Sequence, residues 1–449
     1  MIALAAALVA STSFTAPTAV GRVASSTQAA HELSMKPDPG EGAWLQFAGP
    51  EGQRLVRIRE DGRVTPEQLP PQLRGEGLEV TPLRNGWTVA LARYWPGGRQ
   101  EQLSCEPGSG SSSSSLAARP RARVAAFTRC SELVLAQLSP NGRWTKVQTI
   151  PHSFGTESQA SEPVLADGRI ELAWSEDEQF QPIRVAVARP GHPLGRVHLA
   201  HSVLHREANR VLFPILHGAL YLRGEYAPNP PFGTVRFWVD RRLYGDGTLG
   251  PAHVVRGRVL REPGSSFEGA NGSELWLYGD VFQPLLFARR SSWAPTFEAP
   301  RVIVKESDGG EQFVQSQNRR TLISLDTPVA GGRSRISALE ISARGRLGPL
   351  RGVEEQPANS EDEIRWASAI VNAGSVLIAT SGGEGAGQIW LHASGARCPG
   401  FHGKALLTGA GRGELAAGGG RRGVFHVAWV DALGEVQSTR VQVGCVRSG

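Results

Sequence analysis

Three histidines in VHLAHSVLHRE, His198, His201 and His205, stand three and four residues apart. On a helix that spacing gathers imidazoles on one face, where they could hold zinc. The flanking residues read as strand and turn instead. On a strand His198 and His201 point to opposite faces, so no metal site is expected. Two acidic segments, SEDEQF (175–180) and SEDEIRW (360–366), carry Glu176 and Glu178, and Glu361 and Glu363. Paired carboxylates could do acid/base work or bind calcium. Calcium loops alternate Asp or Asn with Gly, and that pattern is absent, so solvated hairpin tips explain both segments. RGEY (223–226) sets Arg223, Glu225 and Tyr226 together, but neighbours on a strand point apart. No G-x-S-x-G elbow and no H-E-x-x-H is present. The glycine-rich runs GGEGAG (382–387) and GAGRGELAAGGG (409–420) lie between strand-like segments, where turns account for them. No catalytic, cofactor-binding or metal residue is assigned, and no cofactor is expected. Asn271-Gly272-Ser273 has the form of a glycosylation acceptor.

The elements that must position these side chains repeat. An apolar strand, a polar hairpin, a second strand and a Gly-marked turn recur about every 40–55 residues, as in 171–195, 219–250, 320–348 and 424–443. Units fall near 43–69, 87–150, 162–200, 203–255, 266–303, 311–353, 365–404 and 414–443, with short first and last units. Gly-containing turns stand at 61–62, 141–142, 190–191, 246–247, 344–345, 394–395 and 433–434. Tight hairpins need the positive φ that glycine supplies. VFHVAWV (424–430) is apolar on both faces, which fits a sheet packed between two others. Tryptophan recurs at 44, 87, 174, 238, 276, 366, 390 and 429 and is read as inter-sheet packing.

Composition narrows the partners. The net charge is +6 with pI near 9.4, but lysine occurs only at Lys36, Lys146, Lys305 and Lys404. The arginines are scattered, without a basic stripe interleaved with aromatics, so no nucleic acid is expected. MIALAAALVA followed by small residues reads as a secretory signal over 1–24, cleaved near Ala16–Ala24, although a charged n-region is missing; the competing reading is a buried N-terminal strand. Residues 25–42 read as a polar leader, and 106–123 as a flexible Ser-rich insert. No other segment is apolar enough to span a membrane once the signal is removed. In an exported chain four cysteines favour disulfides, with Cys105–Cys130 and Cys398–Cys445 the expected pairs.

The repeat over 43–443 resembles secreted β-propellers of the sialidase-like and WD-repeat-like kinds. SPNGRW (139–144) and SSWAPTF (291–297) are similar to worn sialidase-type turns, with Asn141 where that turn carries Asp. The Trp-Asp dipeptide is absent, and the sialidase catalytic set has no matching positions. The resemblance implies an all-β propeller of seven or eight blades of antiparallel strands. The expected function is a secreted or cell-surface monomer binding a protein or glycan ligand at one face of the ring. The alternative is a sialidase-like, glycoside-processing hydrolase with acidic residues at the channel mouth.

Overall fold

Six hairpins share one piece of backbone chemistry. In each, the residue opening the turn donates its N–H to a carbonyl four residues on, and a glycine N–H returns to the opening carbonyl. The pairs are Leu83/Gly86, Arg59/Gly62, Ser139/Gly142, Tyr244/Gly247, Ser342/Gly345 and Asp431/Gly434, at 2.7–3.0 Å. The glycines have φ between 70° and 88°, the left-handed residue that a type I turn with a bulge requires. Side chains reinforce the turns: the Asp61, Asp246 and Asp431 carboxylates accept backbone N–H groups at 2.9 Å. Gly395, also expected at a turn, has no positive φ; its role is described below.

The computed structural model describes residues 8–24, 33–38, 42–75, 77–83, 85–94, 131–153, 159–160, 164–166, 168–175, 183–201, 210–215, 218–226, 235–251, 253–255, 265–268, 273–278, 284–291, 294, 296–305, 313–317, 320–329, 333–342, 344–356, 365–370, 375–381, 388–395, 398–407 and 414–447. These form eight antiparallel sheets, I to VIII, with I to VII bonded in chain order. Sheet I holds Ser34–Asp38, Gly42–Gly49, Gly52–Arg59 and Val64–Glu67; sheet II holds Glu79–Pro82, Thr88–Tyr94, Glu132–Leu138 and Trp144–Thr149. Sheet III opens with two short pieces, Gln159–Ala160 and Val164–Ala166, then Arg169–Ser175, Ile183–Ala188 and His198–His201. Sheet IV is Arg210–Ile215, Gly218–Tyr226, Val235–Leu243 and His253–Val255; sheet V is Ser265–Glu268, Glu274–Tyr278, Leu285–Arg290 and Arg301–Val304. Sheet VI is Phe313–Gln317, Arg320–Val329, Arg333–Ile341 and Arg351–Gln356; sheet VII is Arg365–Ile370, Val376–Ser381, Ile389–Gly395 and Cys398–Leu407. Sheet VIII takes Leu415–Gly419, Val424–Val430 and Glu435–Arg447 from the C-terminal end, and Leu8–Phe14 and Thr18–Arg22 from the other.

Each sheet packs on the next. Leu91 and Leu135 of sheet II meet Leu172 and Trp174 of III. Leu277 and Phe287 of V meet Ile323 and Leu339 of VI. Ala416 and Ala428 of VIII meet Leu45 and Phe47 of I. The turn glycines repeat the relation. A Cβ on Gly191 would lie 3.1 Å from Trp87 of the preceding sheet, one on Gly345 3.1 Å from Arg289, and one on Gly62 3.6 Å from Arg440. Sheet I thus rests on VIII as III rests on II. Trp44, Trp174, Trp366 and Trp429 are buried at these seams, in the packing role expected of them. Burying a side chain such as Phe47 or Phe425 contributes about 2–3 kcal/mol, which explains why both faces of Val424–Val430 are apolar.

Within the segment read as an export signal, Leu8–Phe14 and Thr18–Arg22 are strands. Leu8–Phe14 pairs with the far half of Glu435–Arg447 (Leu8 opposite Arg447, Phe14 opposite Val441), and Thr18–Arg22 pairs with the near half. Thr15 joins them: Thr439 Oγ1 donates to its carbonyl at 2.7 Å, and its hydroxyl accepts from Arg440 N at 3.2 Å. Val20 and Val23 pack against the VIII–I core. Ser34–Asp38, expected within a polar leader, is the first strand of sheet I.

Cys398 and Cys445 form a disulfide with Cα atoms 5.8 Å apart, as expected. It ties the fourth strand of VII to the third of VIII, beside Ala10. Gly395 leaves room for it: a Cβ there would lie 2.5 and 2.7 Å from the two sulfurs. The bridge spans 47 residues. In the loop-entropy account such a crosslink stabilises by about 4 kcal/mol. The Cys398→Ser/Cys445→Ser pair is expected to lower the urea-unfolding stability by roughly 3–4 kcal/mol. Equal midpoints with and without reductant would count against this. Cys105, Cys130 and the 106–123 insert lie outside the described residues.

Candidate functional site

Strand alternation divides the connections between two edges. Turns between first and second strands, and between third and fourth, share one edge. Second-to-third hairpins and the links between sheets share the other. The candidate site lies at the first edge, in the seam between sheets VI and VII.

The seam carries an unusual polar content. Glu354 on the fourth strand of VI accepts from Thr380 Oγ1 at 2.5 Å and lies 3.0 Å from His392 Nε2. Thr380 and His392 sit 3.2 Å apart on adjacent strands of VII, both buried. Hydroxyl and carboxylate meet the same ring nitrogen, so no hydroxyl–imidazole–carboxylate relay is formed. Ser324, Ser368 and Trp366 make a second buried set, with Oγ–Oγ 3.0 Å and Trp366 Nε1 donating to Ser324 Oγ at 3.2 Å. Both sets satisfy polar groups that would otherwise be costly to bury.

Above these groups the seam opens into a cleft of about 440 Å³. Arg320 begins the second strand of VI, Glu340 ends its third, Arg346 lies in the following hairpin, and Arg351 begins its fourth. Sheet VII contributes Val376, Ser394, Gly395 and Phe401. Leu322 and Ala338, packed toward sheet VII, supply apolar wall. Glu340 is bonded to Arg320 at 2.6 Å, and Arg335 to Glu355 lower in the same sheet. Among the described residues no carboxylate pairs with Arg346 or Arg351. The cleft therefore presents a net positive surface over an apolar wall, in the size range of small-ligand sites.

The positions singled out by sequence fall elsewhere. His198 lies in the fourth strand of III, half-buried beside Gly247, with His201 three residues on; His205 is outside the described residues. Among the described residues no group of His, Cys, Asp or Glu could hold a metal. Arg223, Glu225 and Tyr226 belong to the second strand of IV. Glu176, Glu178, Glu361 and Glu363 are outside the described residues. Their flanking strands put the two acidic connections at the edge opposite the cleft. Asn271 is also outside. Asn141 sits in a third-to-fourth hairpin of sheet II. Sequence reasoning missed the cleft, because its charged groups come from positions 320 to 351 and its ring from 401. The available signal was the hairpin SARGRLG, where Arg344 and Arg346 flank Gly345.

No protein-family model matches the chain, and no curated protein matches it. Solved structures similar to it include the BP39L lectin from Burkholderia pseudomallei (12% identity, 81% of this chain and 93% of that one, TM-score 0.38). Another is the Penicillium chrysogenum alpha-L-arabinanase (11% identity, 74% and 99%, TM-score 0.41). A third is a PL25 ulvan lyase (11% identity, 95% and 94%, TM-score 0.39). Likeness at this level carries no argument about activity.

Proposed function

We propose that the chain is an eight-bladed β-propeller that binds a glycan or protein ligand without turning it over. The packing of sheet VIII on sheet I, in the same manner as the other neighbours, supports the ring. The observation that carries the binding reading is the VI–VII cleft. It offers unpaired guanidinium groups and apolar wall, and its one carboxylate, Glu340, is already bonded to Arg320. Glycoside hydrolysis needs two carboxylates within about 10 Å, one free to act as acid. The hydrolase alternative keeps one support: Arg169–Ser175 and Arg351–Gln356, the strands that lead into the two acidic segments, end at the same edge.

Extracytoplasmic placement is part of this reading, supported by the Cys398–Cys445 bridge. Among the described residues no helix is long and apolar enough to cross a membrane. The test is a glycan and peptide array read for both binding and product. Retention without product is expected. Turnover lost on Glu178→Gln or Glu363→Gln would replace the binding reading with the hydrolase one.

A further inference from the structure

We infer that the VI–VII cleft takes a small oxyanion-bearing saccharide, with a carboxylate or ester-linked sulfate held by Arg346 and Arg351. The inference rests on the binding reading above and names the ligand chemistry of that site. Arg320 is committed to Glu340, Arg335 to Glu355, and Glu354 to His392 and Thr380. Arg346 and Arg351 alone among the cleft's charged groups are left without a counter-ion among the described residues.

Their placement suits an anion. Arg346 is exposed in the hairpin, and Arg351 is half-buried where the next strand begins, so both guanidinium groups border one opening. A guanidinium presents planar paired donors that match carboxylate and sulfate oxygens, and it cannot lose its charge. The rest of the lining sets the body of the ligand. Phe401 and Leu322 offer apolar surface, while Ser342 and Ser394 line the same space with hydroxyl-bearing side chains. Alternating apolar and hydroxyl contacts fit a ring with one apolar face and a polar rim. A volume of about 440 Å³ admits one or two such rings. A long aliphatic acid would leave the serine side bare. A bare inorganic ion would leave the apolar wall unused.

The experiment is calorimetric titration of the full chain at low ionic strength with glucuronate, glucose 6-sulfate, inorganic sulfate and uncharged glucose. Glucuronate and the sulfate ester are expected to bind; glucose and inorganic sulfate are expected to bind at least ~10-fold more weakly, since the charge-assisted bonds and the ring contacts are each then missing. The Arg346→Gln/Arg351→Gln variant is expected to lose about 10-fold or more for the charged sugars and to show a flatter salt dependence. Equal affinity for glucose and glucuronate overturns the inference, as does unchanged affinity in the double variant with an unaltered unfolding midpoint. An Ala338→Phe variant, on the VII-facing side of the same strand, fills the cleft without touching either arginine. If it still binds the array ligands of the wild type, the binding reading stands and this assignment of its site falls.

Discussion

Removal of residues 8–24 is expected to cost the protein its folded monomeric state. The segment is the outer strand of sheet VIII. Leu8–Phe14 and Thr18–Arg22 cover the length of Glu435–Arg447 that would otherwise be an open edge. Removal also strips Val20 and Val23 from the VIII–I core and the Thr15 bonds to Thr439 and Arg440. Gly21 lets the strand lie against Phe47, whose ring a Cβ would approach to 2.8 Å, so that ring is uncovered too. Two valines at about 1.5 kcal/mol each, with ladder bonds at about 0.5–1 kcal/mol net, give a loss of at least about 5 kcal/mol. The bared edge is also a template for pairing with another chain.

A urea midpoint and sedimentation profile of the deletion, beside Ser13→Pro in the full chain, measure this. Ser13 pairs with Gln442 and lies two residues from Thr15, whose N–H donates to Arg440, so a proline there removes a donor from the ladder and locks φ. Rescue of the truncated chain by a synthetic 8–24 peptide is expected, because the missing piece is a strand rather than a folding signal. The result bears on export. If these strands are kept, any cleavage accompanying secretion falls before Leu8, and N-terminal sequencing of the exported protein would read upstream of it. A truncated chain with the wild-type midpoint, or a mature terminus between Ala16 and Ala24, would favour the reading of 1–24 as a removed signal.

The two readings of that segment show where a sequence is informative and where it is not. Local chemistry was legible. Asp61-Gly62 and Asp246-Gly247 announce their hairpins because side chain and glycine act within four residues. The apolar pattern of Val424–Val430 announces two buried faces for the same reason. The partner of LVASTSF is more than 400 residues away, and an Ala- and Leu-rich start serves an export signal and a strand equally well. The register against Val441–Arg447 is what supports the strand. The Cys398–Cys445 pair was readable from proximity near the C-terminus, although its link between neighbouring sheets was not. The cleft was invisible for a further reason. Arg320, Arg346 and Arg351 are unexceptional in an arginine-rich chain until the ion pairs of their neighbours are known.

Acid is expected to weaken the fold between pH 6.5 and 4 through His426. This side chain, on Val424–Val430, is fully buried, and neither ring nitrogen has a hydrogen-bond partner among the described residues. Burial pushes its pKa down to about 4; the Arg440 guanidinium on the paired strand adds to this, and Asp61 in the sheet I hairpin opposes it. The unfolded chain binds the proton at about 6.5. Between the two values the unfolded state holds more protons than the folded one, so stability falls as pH falls. The contribution is fully present above pH 6.5 and is lost on the way down through pH 4. For these values the loss between pH 7.5 and 4.5 is roughly 2.5 kcal/mol. Asp246 and Asp431 act in a lower window. Turn hydrogen bonds hold Asp246 below the usual range; Asp431, despite opposing desolvation, is held low by bonds from Leu433, Glu435 and Gln437. Their stabilisation is present above the ordinary Asp value and is lost only below it. His426→Leu removes the imidazole while keeping an apolar side chain in the seam. Its urea stability is expected to change with pH by roughly 2 kcal/mol less than the wild type's over pH 7.5 to 4.5, with both Asp windows unaltered. Parallel pH profiles for the two proteins would mean that His426 takes up its proton in the fold without penalty, by an opening of the VIII–I seam that also carries the N-terminal strand.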